Sequence, residues 1–485
     1  MRTRQLLING ADRPATNQRT TPDHSPWTGE VFAEVAAASL ADVTLATEAA
    51  QAAFPAWAAA RPSERRAVLL KAADLLEQRA EEVVELIAAE TGGTRGWGLF
   101  NVDLASQILR EAAAAATQPV GEVLTTEFGG QLSLAVREPA GVVAAFSPWN
   151  APVILGIRSI AVPLAVGNTV VLKPTEDAPI AAGYFLADLL HQAGLPPGVL
   201  NVISNAREDA AEIARALIAD PRVRLVNFTG STGVGRLIGI AAAEHLKPAI
   251  LELGGKNSVL VLDDADLDHA AAAVNFGAFA NTGQICMSAD RVLVQRKVAE
   301  EFTARLTARA ATLHRGSPTD PNTTLGPLIS ANSADRVAAL VAETVAAGAT
   351  LHTGGGPAEG ASYPATVLSD ITPDMRIHHE EVFGPVCTVL TFDTDEEAIA
   401  LANSTDYGLS TGILTTHQGR GLTIARQLHT GIAHIGDQSV ADEPQAPFGG
   451  VGQSGYGKFG GRWGVDAFTT TRWITLGPQH SNYPI

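Results

Sequence analysis

The chain has 485 residues, 46% of them hydrophobic and 18% charged, which supplies apolar content for a large core and about three domains of ordinary size. That composition excludes a disordered chain, a collagen-like fibre and a disulfide-stapled miniprotein. Lys+Arg 34 against Asp+Glu 51 gives a net charge of −17, which argues against nucleic acid or an anionic membrane surface as a partner.

The first 40 residues read as short strands and turns. Residues 40–117 carry a helical pattern. Within it, residues 62–91 have Ser63 as the expected N-cap and Gly92-Gly93 as a stop. Residues 121–138 alternate around Gly129-Gly130 and predict a β-hairpin, either a packing arm between subunits or a plain surface hairpin. Residues 139–157 lack a charged side chain, but Pro139, Gly141, Pro148, Asn150 and Pro152 make them strand, turn and helix start, with no membrane span. Strands and helices then alternate: GVVAAFS, VILGIRSIAVPLA, NTVVLKP, PIAAGYFLADLLHQAG, VLNVIS, DAAEIARALIAD and RLVNF, with GSTGVG expected as a loop before the helix RLIGIAAAEHL. This alternation predicts a parallel, doubly wound, nucleotide-binding α/β sheet. A second α/β unit begins near residue 253. The tail, residues 466–477, is strand-like and could pair with the hairpin.

The two cysteines, Cys286 and Cys387, form no C-x-x-C, which fits a reducing, cytoplasmic setting. The N-terminus turns polar too soon for a secretory signal. Gly283 and Gln284 precede Cys286 and suggest a loop where a thiolate is exposed and activated; the alternative is a small core residue. Cys387 leads into an apolar strand and reads as core. Glu252 is a carboxylate in an apolar strand, either a general base of raised pKa or a partner of Lys256. Asn150, at a strand's carboxyl end, could donate to an oxyanion or cap the next helix. Gly230-Ser231-Thr232-Gly233-Val234-Gly235 is a phosphate cradle at a helix start or a tight turn. Lys173 and Glu176 are ribose contacts or a solvated pair; a carboxylate there would repel a 2′-phosphate. No metal spacing appears among the histidines, and no G-x-S-x-G supports a serine nucleophile.

Seven motifs occur in one order: S-P-W-N (147–150), L-K-P-T-E (172–176), F-T-G-S-T-x-x-G (228–235), E-L-G-G-K (252–256), G-Q-I-C (283–286), E-V-F-G-P (381–385) and P-F-G-G-V-G-x-S-G-x-G (447–457). Together they resemble the NAD(P)-dependent aldehyde dehydrogenase superfamily over nearly the whole chain. The resemblance implies a Rossmann-like NAD-binding domain (1–120 and 139–252), an α/β catalytic domain (253–447) and a small β oligomerisation arm (121–138 and 466–485). It also implies a homodimer or homotetramer. Residue by residue, it implies Cys286 as nucleophile, Glu252 as general base and Asn150 as oxyanion donor. Cofactor contacts would come from Trp149, Lys173, Glu176, Phe228, Gly230, Ser231, Thr232, Gly235, Glu381 and Phe383. Glu252 argues against a CoA-acylating relative, Glu176 favours NAD over NADP, and no metal is implied. Thr175 stands where Ser or Ala is more usual.

The run G-Q-I-C-M-S-A-D-R-V is most like the branch acting on benzaldehyde, salicylaldehyde and vanillin. Trp97, Arg158 and Met287 are the candidate pocket residues, with Trp97 as core and Arg158 as a helix-surface charge the plainer alternatives. An aliphatic semialdehyde such as succinate semialdehyde is the second substrate class, and an inactive binding relative the third reading.

Overall fold

The computed structural model describes residues 2–127 and 129–477. Five parallel strands form the heart of an eight-stranded sheet, in the spatial order Ala249–Glu252, Val223–Thr229, Val142–Ser147, Thr169–Pro174, Leu200–Val202. Their side chains alternate between two buried clusters: Val143 and Ala145 join one face, Val142, Ala144 and Phe146 the other. A sheet buried on both sides explains why these strands read as continuous apolar runs. Chain order reverses between Val142–Ser147 and Val223–Thr229. The carboxyl ends of those two strands therefore flank the topological switch point, the crevice where ligands bind in open α/β sheets. Antiparallel strands close both edges: Leu6–Ile8 with Ala11–Arg13 on one side, and Gly455–Tyr456, outside all three expected domain ranges, on the other.

A second sheet of seven strands spans residues 258–435. Five neighbouring pairs are parallel, and Thr350–Thr353 makes an antiparallel edge. The predicted hairpin forms as Gly121–Leu124 against Leu132–Pro139, and Thr469–Leu476 extends it to three strands. Of the expected arm, residues 478–485 and Phe128 lie outside the described residues.

Two local expectations are corrected. Ser63 does not cap the helix Pro62–Gln78: Pro62 occupies the first turn, Arg61 is the cap residue, and the Glu64 carboxylate accepts the Arg61 N–H. Pro suits the first helical position because its missing donor has no partner there in any case. The 230–235 segment is not a loop throughout. Ser231 caps the helix Thr232–Glu244 by accepting the Val234 N–H, so Gly233 and Gly235 lie in its first turn while Gly230 precedes the cap. Gly92, at φ 71°, ends the helix Ala80–Thr91 as expected.

Candidate active site

Four strand ends of the first sheet deliver the site. Phe146 pairs with Lys173 on one side and Phe228 on the other, and Thr229 pairs with Glu252. Register therefore brings Pro148, Trp149, Asn150, Lys173, Gly230, Ser231 and Glu252 to one edge. Two adjoining cavities follow this edge, of about 480 Å³ and about 290 Å³, and both are lined by Pro148, Trp149, Thr229, Gly230 and Ser231.

The larger cavity contains Lys173 and Glu176. They are not a solvated pair: Lys173 Nζ donates to Glu176 Oε1 at 2.5 Å with both side chains largely buried, and Asn205 Nδ2 donates to the same oxygen at 2.8 Å. Burial works to raise the Glu176 pKa, but Lys173 and Asn205 overcome it and hold the carboxylate below its ordinary range. Phe228 lines this cavity, as do Val234, Leu237 and Ile238 of the capped helix, which give it an apolar wall. Thr232 Oγ1 donates to the Gln453 carbonyl at 3.2 Å. Gly235 lets the helix close on the sheet, since a Cβ there would lie 2.1 Å from Leu253 Cδ2.

The smaller cavity brings together Asn150, Glu252, Cys286, Glu381 and Phe383. Glu252 is 2% exposed and does not pair with Lys256, whose ammonium contacts Asp290 at 3.2 Å. Burial raises the Glu252 pKa to about 7, against the hydrogen-bonding influence of Cys286 and the positive charge of Arg158; its Oε1 has no partner. Cys286 follows Asn281, Thr282 and Gly283, all at positive φ (46°, 56° and 71°). Thr282 Oγ1 donates to the Gly326 carbonyl at 3.0 Å, and Asn281 Nδ2 to the Asn150 carbonyl at 3.0 Å. Backbone strain of this kind persists only where such bonds over-determine it. Asn257 Nδ2 fixes the Cys286 carbonyl at 2.8 Å. Burial first, then the charges of Glu252 and Glu381, push the Cys286 thiol well above its ordinary value, so the protein alone holds it as a thiol at neutral pH.

Asn150 is no helix cap. Ala151 occupies that position, and the Asn150 amide donates to the Gln284 carbonyl at 3.1 Å, leaving its second proton for another acceptor. Glu381 accepts the Gly255 N–H at 2.9 Å, and burial raises its pKa to about 8. A Cβ on Gly254 would lie 2.3 Å from Glu381 Oε2, so only glycine admits this approach. The Phe383 ring meets Trp149 edge-on at 5.5 Å.

A third, small cavity of about 40 Å³ shares Asn150, Leu155 and Cys286 with the second and contains Trp97, Arg158 and Met287. Trp97 Nε1 donates to the Asn150 carbonyl at 2.9 Å, so this tryptophan is both core and wall. Arg158 is not a surface charge; it is 5% exposed and ion-paired with Asp442. Sequence reading missed Asp442, Asn257 and the lining Arg336 because each is far along the chain from what it serves. Cys387 is buried core in Val386–Phe392.

The donor set fits a dinucleotide. A carboxylate–lysine pair lies at one end, a helix N-terminus capped by Ser231 at the middle, and Glu381 with Cys286 at the other. Among the described residues, no group of three or more His, Cys, Asp or Glu could hold a metal ion, and no helix is long and apolar enough to cross a membrane.

Comparison with known proteins agrees with this geometry. The family model described as the aldehyde dehydrogenase family matches residues 13–474. A vanillin dehydrogenase of Pseudomonas sp. (strain HR199 / DSM 7063) is 52% identical over 99% of both chains. A benzaldehyde dehydrogenase (NAD(+)) of Pseudomonas putida is 40% identical over 95% of this chain and 93% of its own. The crystal structure of a salicylaldehyde dehydrogenase from Pseudomonas putida G7, complexed with salicylaldehyde, is 40% identical and superposes with a TM-score of 0.98 over 100% of both chains. With its motifs in order and its fold matched end to end, this chain belongs to the aldehyde dehydrogenase family of aldehyde-oxidising oxidoreductases.

Proposed function

We propose that the chain oxidises an aromatic aldehyde to the carboxylic acid, with NAD as hydride acceptor and Cys286 as nucleophile. The coarser reading, aldehyde oxidation with a nicotinamide cofactor, follows from the family. The observation that carries the finer one is the position of Cys286, common to a dinucleotide-shaped cleft and a cavity walled by Trp97, Phe100 and Phe448. Relatives named for vanillin, salicylaldehyde and benzaldehyde support it. The ionised Glu176 favours NAD, because a 2′-phosphate would meet its negative charge.

Each step then has a residue. Glu252 accepts the Cys286 proton, and Sγ bonds to the aldehyde carbon. The free amide proton of Asn150 and the Cys286 backbone N–H hold the resulting oxyanion, each worth about 3 kcal/mol in the transition state. Nicotinamide, when bound, supplies the hydride acceptor. The oxidised acyl group remains on Cys286 as a thioester. Glu252 gives the proton it took from Cys286 to solvent and, ionised again, takes a proton from water. The hydroxide bonds to the thioester carbon, the C–S bond breaks, and the proton on Glu252 passes to Sγ, so that acid and thiol are released. An aliphatic semialdehyde needs a basic anchor for its remote carboxylate. Arg158 is already committed to Asp442, which weakens that reading.

Exposed apolar side chains on the three-stranded arm, Val123, Leu132, Trp473 and Leu476, support assembly of the chain as a homodimer or homotetramer through that sheet. The test of substrate and cofactor is NADH or NADPH absorbance with benzaldehyde, vanillin, salicylaldehyde, succinate semialdehyde and acetaldehyde. Aromatic aldehydes with NAD should give the highest kcat/KM. Highest kcat/KM for succinate semialdehyde would overturn the aromatic assignment, and faster turnover with NADP would overturn the role of Glu176.

A further inference from the structure

The small cavity beside Cys286 has two charged side chains among its described lining residues, Arg158 and Asp442. They are 284 positions apart in sequence and ion-paired through Arg158 Nη2 and Asp442 Oδ2. Their side chains are 5% and 6% exposed. The Arg158 guanidinium carbon lies over the Phe448 ring, 4.2 Å from its centroid. The pair is incompletely satisfied. Arg158 Nη1 and Asp442 Oδ1 are both buried without a hydrogen-bond partner. Orphaned charged atoms are costly in an apolar enclosure, and a donor and an acceptor left open on one ion pair call for a group that is both.

We propose that Asp442 is a specificity-determining residue, whose open Oδ1 accepts the O–H of a phenolic ring hydroxyl while its charge, set against Arg158, bars a remote carboxylate. The inference rests on the aromatic reading of the site and refines it to hydroxylated rings. A phenol can donate to Asp442 Oδ1 and accept from Arg158 Nη1 at once, so one substituent satisfies both atoms. A methyl ether offers an acceptor only and leaves Asp442 open. A carboxylate would gain from Arg158 and be repelled by Asp442 at the same distance scale. The remaining walls, Trp97, Phe100, Leu155 and Ile285 among them, suit the ring itself. Sites built to bond a substrate hydroxyl reject the analogue lacking it far more strongly than an apolar pocket does.

The experiment compares kcat/KM for benzaldehyde, the ortho-, meta- and para-hydroxybenzaldehydes, their methyl ethers and para-carboxybenzaldehyde. Wild type, Asp442→Asn and the double variant Arg158→Met/Asp442→Leu are measured with the same cofactor. Wild type should prefer at least one hydroxybenzaldehyde over its methyl ether by about tenfold or more. In Asp442→Asn that ratio should fall by about tenfold, and the ratio of para-carboxybenzaldehyde to benzaldehyde should rise as Arg158 loses its counter-charge. The double variant removes both charges together, leaves no buried unpaired ion, and should lose the hydroxyl preference as well. A wild type that oxidises benzaldehyde yet treats hydroxyl and methyl ether alike overturns the inference, whether or not any variant folds. So does an unchanged ratio in either variant. A wild type inactive on every aromatic aldehyde but active on succinate semialdehyde overturns the aromatic reading itself.

Discussion

Burial makes both Glu252 and Cys286 costly to ionise; Glu252 adds to that cost at Cys286, whereas the Cys286 thiol eases the ionisation of Glu252, and the chemistry follows from that. Burial lifts the Glu252 carboxyl to about 7 and the thiol well above its ordinary value. A carboxyl near 7 can both take the thiol proton and act on water at neutral pH. The sign is definite: the base is the ionised form, so its population rises as pH rises through 7. Thioester hydrolysis should therefore rise by about tenfold between pH 6 and pH 8, as measured by the steady-state NADH rate after the burst. Glu252→Gln should flatten that limb. It should slow hydrolysis by about a hundredfold or more while the NADH burst falls less. Equal loss of both phases would remove Glu252 from hydrolysis. Much of this was legible in sequence, because an acidic residue in an apolar strand needs a reason. The proposed partner Lys256 was not the reason; its ammonium belongs to Asp290, 34 positions away. Asp442 was invisible for the same cause, since spacing says nothing of a contact 284 residues distant.

Secondary structure around the site was read well where burial on both faces leaves a continuous apolar run, as in Val142–Ser147 and Thr169–Pro174. It was misread where local residues compete. Ser63 has the right chemistry for a cap, but the rigid φ of Pro62 suits the first turn and moves the boundary to Arg61. Glycines in the 230–235 segment suggested a loop, yet Ser231 caps a helix that starts directly after it. The paired glycines after Glu252 have a clearer purpose. Gly254 and Gly255 let the end of one sheet meet Glu381 from the other, with the Gly255 N–H donating to Glu381 Oε1. Gly254→Ala should force Glu381 aside, at a cost of about 1–3 kcal/mol. The expected result is a raised KM for the nicotinamide cofactor with the melting temperature lowered by only a few degrees. An unaltered KM would separate Gly254 from the cofactor cleft.

At the scale of the molecule, the two large sheets meet where Glu252 and Asn150 of one face the Cys286 loop that precedes Arg291–Gln295 of the other. The order of the seven motifs made this meeting foreseeable, although no spacing in the sequence states it. The third sheet stands apart in character, with Trp473 73% and Val123 73% exposed. If the chain assembles through this sheet as proposed, replacing both by Asp should lower its mass in sedimentation experiments, and an unchanged mass would show that the arm is not an interface. The proposed reaction passes through a covalent bond at the junction of the two sheets. Mass spectrometry of Glu252→Gln after mixing with NAD and an aromatic aldehyde tests it most directly. An acyl adduct on the peptide that carries Cys286, absent when Cys286→Ala is added to the same variant, is the predicted result. Continued NADH formation by Cys286→Ala, with no adduct in either protein, would contradict it.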